Sequence, residues 1–132
     1  KRLRDKNINV VVHIINGLPY ETKSDMIETA KYLGKLDIQG IKIHMLHILK
    51  DTKLEEMYNK EKFHVLTKEE YVEIVCEQLK YLDENIVIHR LTGDPKIDDL
   101  IEPTWLTKKF CVLNDIDKMM AKNDWVQGMY LK

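Results

Sequence analysis

The chain has 132 residues, 44% of them hydrophobic and 33% charged, and its formal net charge is −1. This length supports one modest hydrophobic core, and the near balance of acidic and basic residues disfavours nucleic acid as the main partner of this segment. Cys76 and Cys111 lie far apart in the sequence, which favours a cytoplasmic protein without disulfides. Because no apolar run approaches the roughly 20 residues that span a bilayer, no membrane partner is expected.

The first predicted element is a buried parallel strand, because residues 7–15 are rich in Val and Ile and almost continuously apolar. A Gly-Leu-Pro turn follows the strand. A helix comes next, capped by Thr22 or Ser24, with acidic residues in its first turn. Its core face is predicted to consist of Ile27, Ala30 and Leu33.

The remaining elements repeat this order. Gly40 opens a second strand, GIKIHMLHIL, and a short helix, TKLEEMYNKE, follows it. A longer helix over residues 67 to about 82 starts with the capping-box pattern of Thr67 and Glu70. A third strand, NIVIHRL, ends in TGDP, and a last helix spans about residues 107–122. This βα repetition predicts an α/β fold with parallel strands and right-handed crossovers.

Two observations indicate a piece of a larger protein. The chain begins with Lys1 rather than Met and enters a strand almost at once. Three strands are also too few for a closed barrel or a stable open sheet. We therefore expect residues 1–132 to form a single domain that belongs to a larger α/β architecture.

Each predicted strand has one apolar face and one mixed face that contains a histidine, since side chains alternate across a strand. The three histidines are His13, His44 and His89. In a barrel the mixed faces would point inward, and histidines near the carboxyl ends of strands would lie near the usual site. The alternation therefore predicts that these side chains converge, unless a β-bulge changes the register.

No metal site is expected from the residues themselves. His44 and His47 are three positions apart on a strand and therefore face opposite ways. Cys76 falls on the apolar side of the longer helix and is interpreted as a core residue. Cys111 is interpreted as structural as well.

Four segments, in this order, resemble the C-terminal half of radical S-adenosylmethionine (SAM) enzymes: HIINGLPYET, GIKIHMLHILKDTKLEEMY, EEYVEIVCEQL and IVIHRLTGD. Within that superfamily they resemble an uncharacterised bacterial family related to oxygen-independent coproporphyrinogen oxidase and the elongator catalytic subunit. The resemblance implies the second half of a partial (β/α)6 TIM-like barrel. The N-terminal, cluster-binding half would then be absent from the chain.

The resemblance also implies the cofactors of the longer parent, a radical SAM Fe–S oxidoreductase. Members of the superfamily hold a [4Fe–4S] cluster through three cysteines spaced C-x3-C-x2-C, and this spacing does not occur here. The parent would therefore use SAM and a [4Fe–4S] cluster, whereas the isolated chain would bind no cofactor and would be inactive. Its own N-terminal half would be its main partner. The substrate, a small molecule or a macromolecule, and the catalytic residues are left open.

Candidate site residues follow from the superfamily's Gly-x-Ile-x-Gly-x-x-Glu pattern, whose apolar residue packs against the adenine of SAM. Ile15 and Gly17 match its Ile and second Gly, whereas His13 replaces the first Gly and Glu21 comes one residue late. On the next strand, Leu46, His47 and Ile48 lie where the family places main-chain and apolar contacts to adenine. The resemblance therefore implies five cofactor-binding residues: Ile15, Gly17, Leu46, His47 and Ile48. The substrate-side candidates are His13, Lys42, His44, His89 and Arg90, and no metal ligand is assigned.

Two other interpretations come from different classes of protein. One is a small α/β binding module in which the helix start after GLPYET captures an anion; the negative charges of Glu21 and Asp25 oppose this interpretation. The other is a structural module without catalysis that forms a homodimer or a domain swap through exposed strand edges.

Overall fold

The computed structural model of the protein describes residues 8–61, 63–93 and 97–131. Helices and strands alternate along the chain. The strands are β1 (Val11–Asn16), β2 (Gly40–Met45), β3 (Ile48–Leu49), β4 (Val87–Arg90) and β5 (Leu100–Glu102). The helices are α1 (Lys23–Gly34), α2 (Lys53–Lys60), α3 (Lys68–Leu79) and α4 (Lys109–Lys122). Short 3-10 turns span Ile97–Asp99, Thr104–Lys108 and Met129–Leu131.

The main sheet is parallel and has the strand order β1-β2-β4. Its register pairs His13 with Lys42 and Ile15 with His44. The predicted α/β fold with parallel βα units is therefore confirmed. Within the described part of the chain, no helix combines the length and the apolar character that crossing a bilayer would require.

A second, antiparallel sheet joins β3 to β5, and the sequence did not predict it. The segment GIKIHMLHIL was predicted as one strand, which is wrong because β2 ends at Met45. The main-chain N–H of Leu46 still donates to the carbonyl of Asn16 at 2.8 Å. Two residues later Ile48 pairs with Glu102 instead of with the main sheet. The apolar run is thus shared between two sheets, and its alternation alone cannot mark the break.

Capping boxes begin two of the helices; the sequence predicted the box at Thr67, and for α1 it predicted only a cap by Thr22 or Ser24. Thr22, rather than Ser24, caps α1: its hydroxyl accepts from the N–H of Asp25 at 3.1 Å, and the Asp25 carboxylate accepts from the N–H of Thr22 at 3.0 Å. Thr67 and Glu70 form the equivalent pair at the start of α3. These bonds satisfy N–H groups that the helices themselves leave free.

The helices cover only one face of the parallel sheet. The core on that face contains Ile41, Ile43 and Met45 of β2 together with Tyr71 and Val75 of α3. In α1 the buried side chains are Met26, Ala30 and Leu33, so Met26 takes the place that was predicted for Ile27, which is half-buried. Cys76 is buried as predicted, whereas Cys111 is exposed.

Tyr71 and Trp105 connect this core to the loops at the carboxyl ends of the strands. The Tyr71 hydroxyl donates to the carbonyl of Leu91, which directly follows β4, at 2.6 Å. Burial raises the pKa of Tyr71 well above its usual range, so this hydroxyl remains a donor. The indole N–H of Trp105 donates to the carbonyl of Leu66 at 2.9 Å. The ring centroids of Trp105 and Tyr71 lie 5.5 Å apart. The loop after β5 is thereby fixed against the start of α3.

A reciprocal pair of amides fixes the end of β1. The side-chain amides of Asn16 and Gln78 exchange two hydrogen bonds of 2.8 Å, and the Gln78 amide also donates to the carbonyl of Met26 at 2.9 Å. Both side chains are fully buried. Because buried polar groups are costly when unpaired, this pair specifies how β1, α1 and α3 meet.

Replacing Gln78 by Met should reduce the free energy of unfolding by about 2–4 kcal/mol, because the Asn16 amide and the Met26 carbonyl lose their partner inside the core. Urea denaturation of the intact protein measures this loss. Glu73→Met, at an exposed position of the same helix, is the matched control; it removes only the exposed ion pair with Lys23 and should cost less than about 1 kcal/mol. An equal loss in both variants would contradict the structural role given to the amide pair.

Candidate functional site

The carboxyl ends of β1 and β2 form one rim of the candidate site. Gly17 follows β1 with φ of +94°, a conformation that L side chains rarely adopt. A Cβ atom there would also lie 3.1 Å from Leu66 and 3.8 Å from Leu46. The turn after β1 therefore needs glycine both for its backbone and for its close packing.

Three buried polar atoms at this rim have no hydrogen-bond partner among the described residues: Glu21 Oε1, His44 Nε2 and His47 Nδ1. Burial raises the pKa of Glu21, and main-chain hydrogen bonds from Leu18 and Gly17 partly offset that rise. Buried polar atoms are normally paired. These three atoms are therefore the groups at this rim that a ligand would satisfy.

Thr92 and Gly93, which follow β4, border the same rim, and Asp94 of the TGD segment lies outside the described residues. The Gly93 N–H donates to Met45 Sδ at 3.2 Å, and a Cβ atom at Gly93 would lie 3.3 Å from His47 Nδ1. Glycine thus makes room for the His47 ring. The sequence identified this segment only as a turn after a strand, and its contact with His47 could not be deduced without the register.

The histidines of the three parallel strands lie on the uncovered face of the sheet, as their alternation predicts. The rings of His13 and His44 stack with centroids 5.8 Å apart and planes 17° from parallel. The ring of His89 lies over Gly40 of the neighbouring strand, where a Cβ atom would come within 2.5 Å of Nε2. Gly40 therefore makes room for His89 on this face.

A β-bulge in β4 alters the predicted pattern without dispersing the histidines. The register runs from Ile41 opposite Ile88 to Lys42 opposite Arg90, so His89 is the additional residue. Regular alternation would put Arg90 on the face opposite to His89, whereas Arg90 was expected on the substrate side with His89. The bulge brings Arg90 beside Lys42 on the uncovered face while the ring of His89 stays there too.

His44 is surrounded by basic groups. Burial lowers the pKa of His44, and the nearby charges of His13, Arg90, His47 and Lys42 lower it further. No carboxylate contributes to this shift. Lys42 and Arg90 form no ion pair with any described residue. The uncovered face therefore holds a neutral imidazole next to uncompensated positive charge.

The residues implied for cofactor binding differ in their accessibility. Ile15 projects from the uncovered face with 47% of its surface exposed, and Leu46 and His47 are half-buried. Ile48 is only 1% exposed, because its side chain packs in the core behind the rim. At the rim, the side chain of Ile15 is therefore accessible to a ligand, whereas the side chain of Ile48 is not.

A [4Fe–4S] cluster does not fit the part of the chain that the structure describes. No group of three or more His, Cys, Asp or Glu side chains is placed to hold a metal there. Cys76 lies inside the core, where burial raises its pKa to about 11, and Cys111 is exposed on another helix. Because thiolates ligate such clusters, neither of these two cysteines is placed to hold one.

The start of α1 is a poor anion site. The N–H of Asp25 is already bonded to Thr22, and the carboxylate of Asp25 adds negative charge in the first turn. The main-chain bonds of the capping box lower the pKa of Asp25, so it stays ionised. This arrangement opposes the interpretation of the turn as an anion-capturing module.

Comparison with known proteins defines the class of the chain. Residues 38–122 match the family model of the radical SAM C-terminal domain, and the chain belongs to that family. The archaeal Elp3 of Methanocaldococcus infernus, with residues 1–46 deleted, matches the structure with a TM-score of 0.77 at 18% identity, over 95% of this chain and 29% of that one. At this identity the likeness shows the fold alone, a radical SAM-like C-terminal fold.

Three relatives are similar over almost the whole chain. The uncharacterised protein YtqA of Bacillus subtilis is 43% identical over 131 residues, which are 99% of this chain and 41% of that protein. The uncharacterised protein MJ0486 of Methanocaldococcus jannaschii is 35% identical over 97% of this chain and 40% of its own length. YhcC of Escherichia coli is 23% identical over 97% of this chain and 41% of its own length. The chain thus spans about two fifths of the length of these relatives.

The electrostatics of the uncovered face can be tested by titrating His44. Its imidazole should titrate below the ordinary value of about 6.5. Lys42→Met should raise the pKa of His44 by removing a nearby positive charge, whereas Lys35→Met, at the C-cap of α1, should not change it. NMR spectra of histidine-labelled protein measure both effects.

The same shift gives the expected pH dependence of stability. The folded protein keeps His44 neutral where the unfolded chain would be protonated, so stability should fall as the pH drops below about 6.5 and level off below the folded pKa. His44→Gln should flatten this part of the profile. A His44 that titrates above the ordinary value would contradict the arrangement described.

Proposed function

We propose that the chain is the C-terminal part of a radical SAM oxidoreductase, in which it forms the adenine-side wall of the SAM pocket and part of the substrate cavity. The observation that carries this proposal is the rim at the carboxyl ends of β1 and β2. There an exposed apolar side chain, Ile15, lies in register with His44, and three buried polar atoms have no partner among the described residues. Membership of the radical SAM C-terminal domain family supports the same assignment.

A flat purine suits this rim for physical reasons. Ile15 offers an apolar surface of the kind that covers one face of an aromatic ring. The unpartnered nitrogens of His44 and His47 offer hydrogen bonds at the edge of such a ring. Gly17 holds the turn close to Leu66 and Leu46 and so keeps the rim shallow. Ile48 would contribute through its main chain, since its side chain is buried.

The substrate side of the cavity would be the uncovered face of the sheet. His13, Lys42, His44, His89 and Arg90 all lie on that face. Exposed apolar side chains on it, such as Val11 and Val87, support a covering layer. We assign this layer to the protein's own N-terminal half, which would also supply the ligands of the [4Fe–4S] cluster. Within the cavity the residues of this chain would bind and orient the substrate and exclude water.

When bound, SAM in this superfamily supplies a 5′-deoxyadenosyl radical that removes a hydrogen atom from the substrate. To test the proposal, the intact protein is reconstituted with iron and sulfide under anaerobic conditions, reduced and examined by EPR. A [4Fe–4S]+ signal that changes when SAM is added is expected. A protein that assembles no cluster under these conditions would exclude the radical SAM assignment.

Substitutions at the rim test whether its residues contribute to the affinity for SAM. Ile15→Ala should weaken SAM binding by roughly tenfold, because it removes apolar surface from the purine site. Calorimetry on the reconstituted protein measures the affinity. Val87→Ala, an equally exposed apolar position lower on the same face, is the matched control and should leave the affinity unchanged within a factor of about two. Equal effects of the two substitutions would remove Ile15 from the pocket.

A further inference from the structure

The substrate side contains a transverse row of basic residues that spans all three parallel strands. His13 pairs with Lys42 in the register of β1 and β2, and the bulge of β4 brings Arg90 opposite Lys42. Neighbouring strands lie about 4.8 Å apart, so the row spans about 10 Å across the sheet. His44 lies two residues further along β2, with its ring stacked on that of His13.

No acidic residue balances this row within the described ranges. The charges that act on His44 come from His13, Arg90, His47 and Lys42, and all of them are basic. Neither Lys42 nor Arg90 has an ion-pair partner among the described residues. Some lysines elsewhere in the described ranges are paired with carboxylates, such as Lys68 with Asp115 at 2.8 Å, and others there are unpaired and exposed singly. The row differs from these because Lys42 and Arg90, both unpaired within those ranges, are direct neighbours on adjacent strands.

We infer that the row formed by His13, Lys42 and Arg90, with His44 next to it, binds an oxyanion of the substrate, a carboxylate or a phosphate. A guanidinium group presents a planar fork that matches two oxygens of such a group, and an ammonium group adds a mobile point charge. Because the row spans three strands, the two long side chains approach a central group from adjacent strands. The inference rests on the proposed function, since it names the chemical class of the substrate that this cavity accepts.

The bulge in β4 determines which residues form this site. With regular alternation, Arg90 would point to the helix-covered face and the row would end at Lys42. The additional residue, His89, is accommodated only because Gly40 leaves space for its ring. Bulges next to active sites commonly redirect a side chain in this way. The pairing of a bulge with a glycine on the neighbouring strand supports a functional placement of Arg90.

The test measures oxyanion binding directly on the intact, histidine-labelled protein. Inorganic phosphate and acetate are added in separate titrations at constant ionic strength, with chloride as the balancing anion, and the ring signals of His13 and His44 are followed by NMR. A saturable shift with one of the two anions is expected, and the stronger binder identifies the phosphate or the carboxylate class. Lys42→Met and Arg90→Gln should each weaken binding by at least about fivefold, whereas Lys35→Met, which removes an exposed lysine at the C-cap of α1, should change it by less than about twofold.

Further variants keep the outcome interpretable. Lys42→Arg retains the charge and should keep binding within about threefold of the native protein, so a loss of binding in Lys42→Met together with retention in Lys42→Arg excludes simple misfolding. If no saturable shift occurs with either anion, the inference is wrong; a lowered thermal midpoint of Lys42→Met would then indicate that the row pairs with acids of the N-terminal half. EPR on the same preparation separates this failure from failure of the proposed function, because it reports cluster formation and the response to SAM independently of phosphate or acetate.

Discussion

The buried amide pair of Asn16 and Gln78 is the contact on which the geometry of the site depends. It joins the last residue of β1 to the C-terminal end of α3, and the main-chain carbonyl of Asn16 accepts from Leu46, which directly follows β2. Gly17, with its positive φ, is the next residue of the chain. Ile15 and His44 lie within two residues of Asn16 and Leu46, so their relative position is set by hydrogen bonds inside the core and not by the exposed turn.

The second constraint is that the helices cover one face of the sheet only. A parallel sheet is ordinarily buried on both faces, and the uncovered face here mixes apolar side chains with basic ones: Val11, Ile15 and Val87 with Lys42 and Arg90. An apolar partner alone would leave the charges without compensation, and a polar ligand alone would leave the apolar side chains in water. A protein layer that encloses a ligand satisfies both, which is the arrangement of a barrel interior.

Local signals allowed much of the fold to be predicted from the sequence. The capping boxes at Thr22 and Thr67 depend on residues three positions apart, and the buried strand faces depend on alternation, so both appear in the sequence itself. The bulge at His89 and the short strand β5 depend on pairing partners far along the chain. For this reason the pairing of Arg90 with Lys42 and the burial of Ile48 behind the rim could not be foreseen.

The site has two layers along the strands, and their order matters for chemistry. Ile15 and His44 form the layer nearest the carboxyl ends, and His13, Lys42 and Arg90 form the next layer, about 7 Å deeper by the rise of two strand residues. His44 belongs to the first of these layers, and burial beside positive charge favours its neutral form. A neutral imidazole can donate at one nitrogen and accept at the other. Under the proposed function, His44 would bond to the edge of the purine while the deeper row attracts the oxyanion, so that two ligands of different polarity would occupy adjacent layers of one cavity.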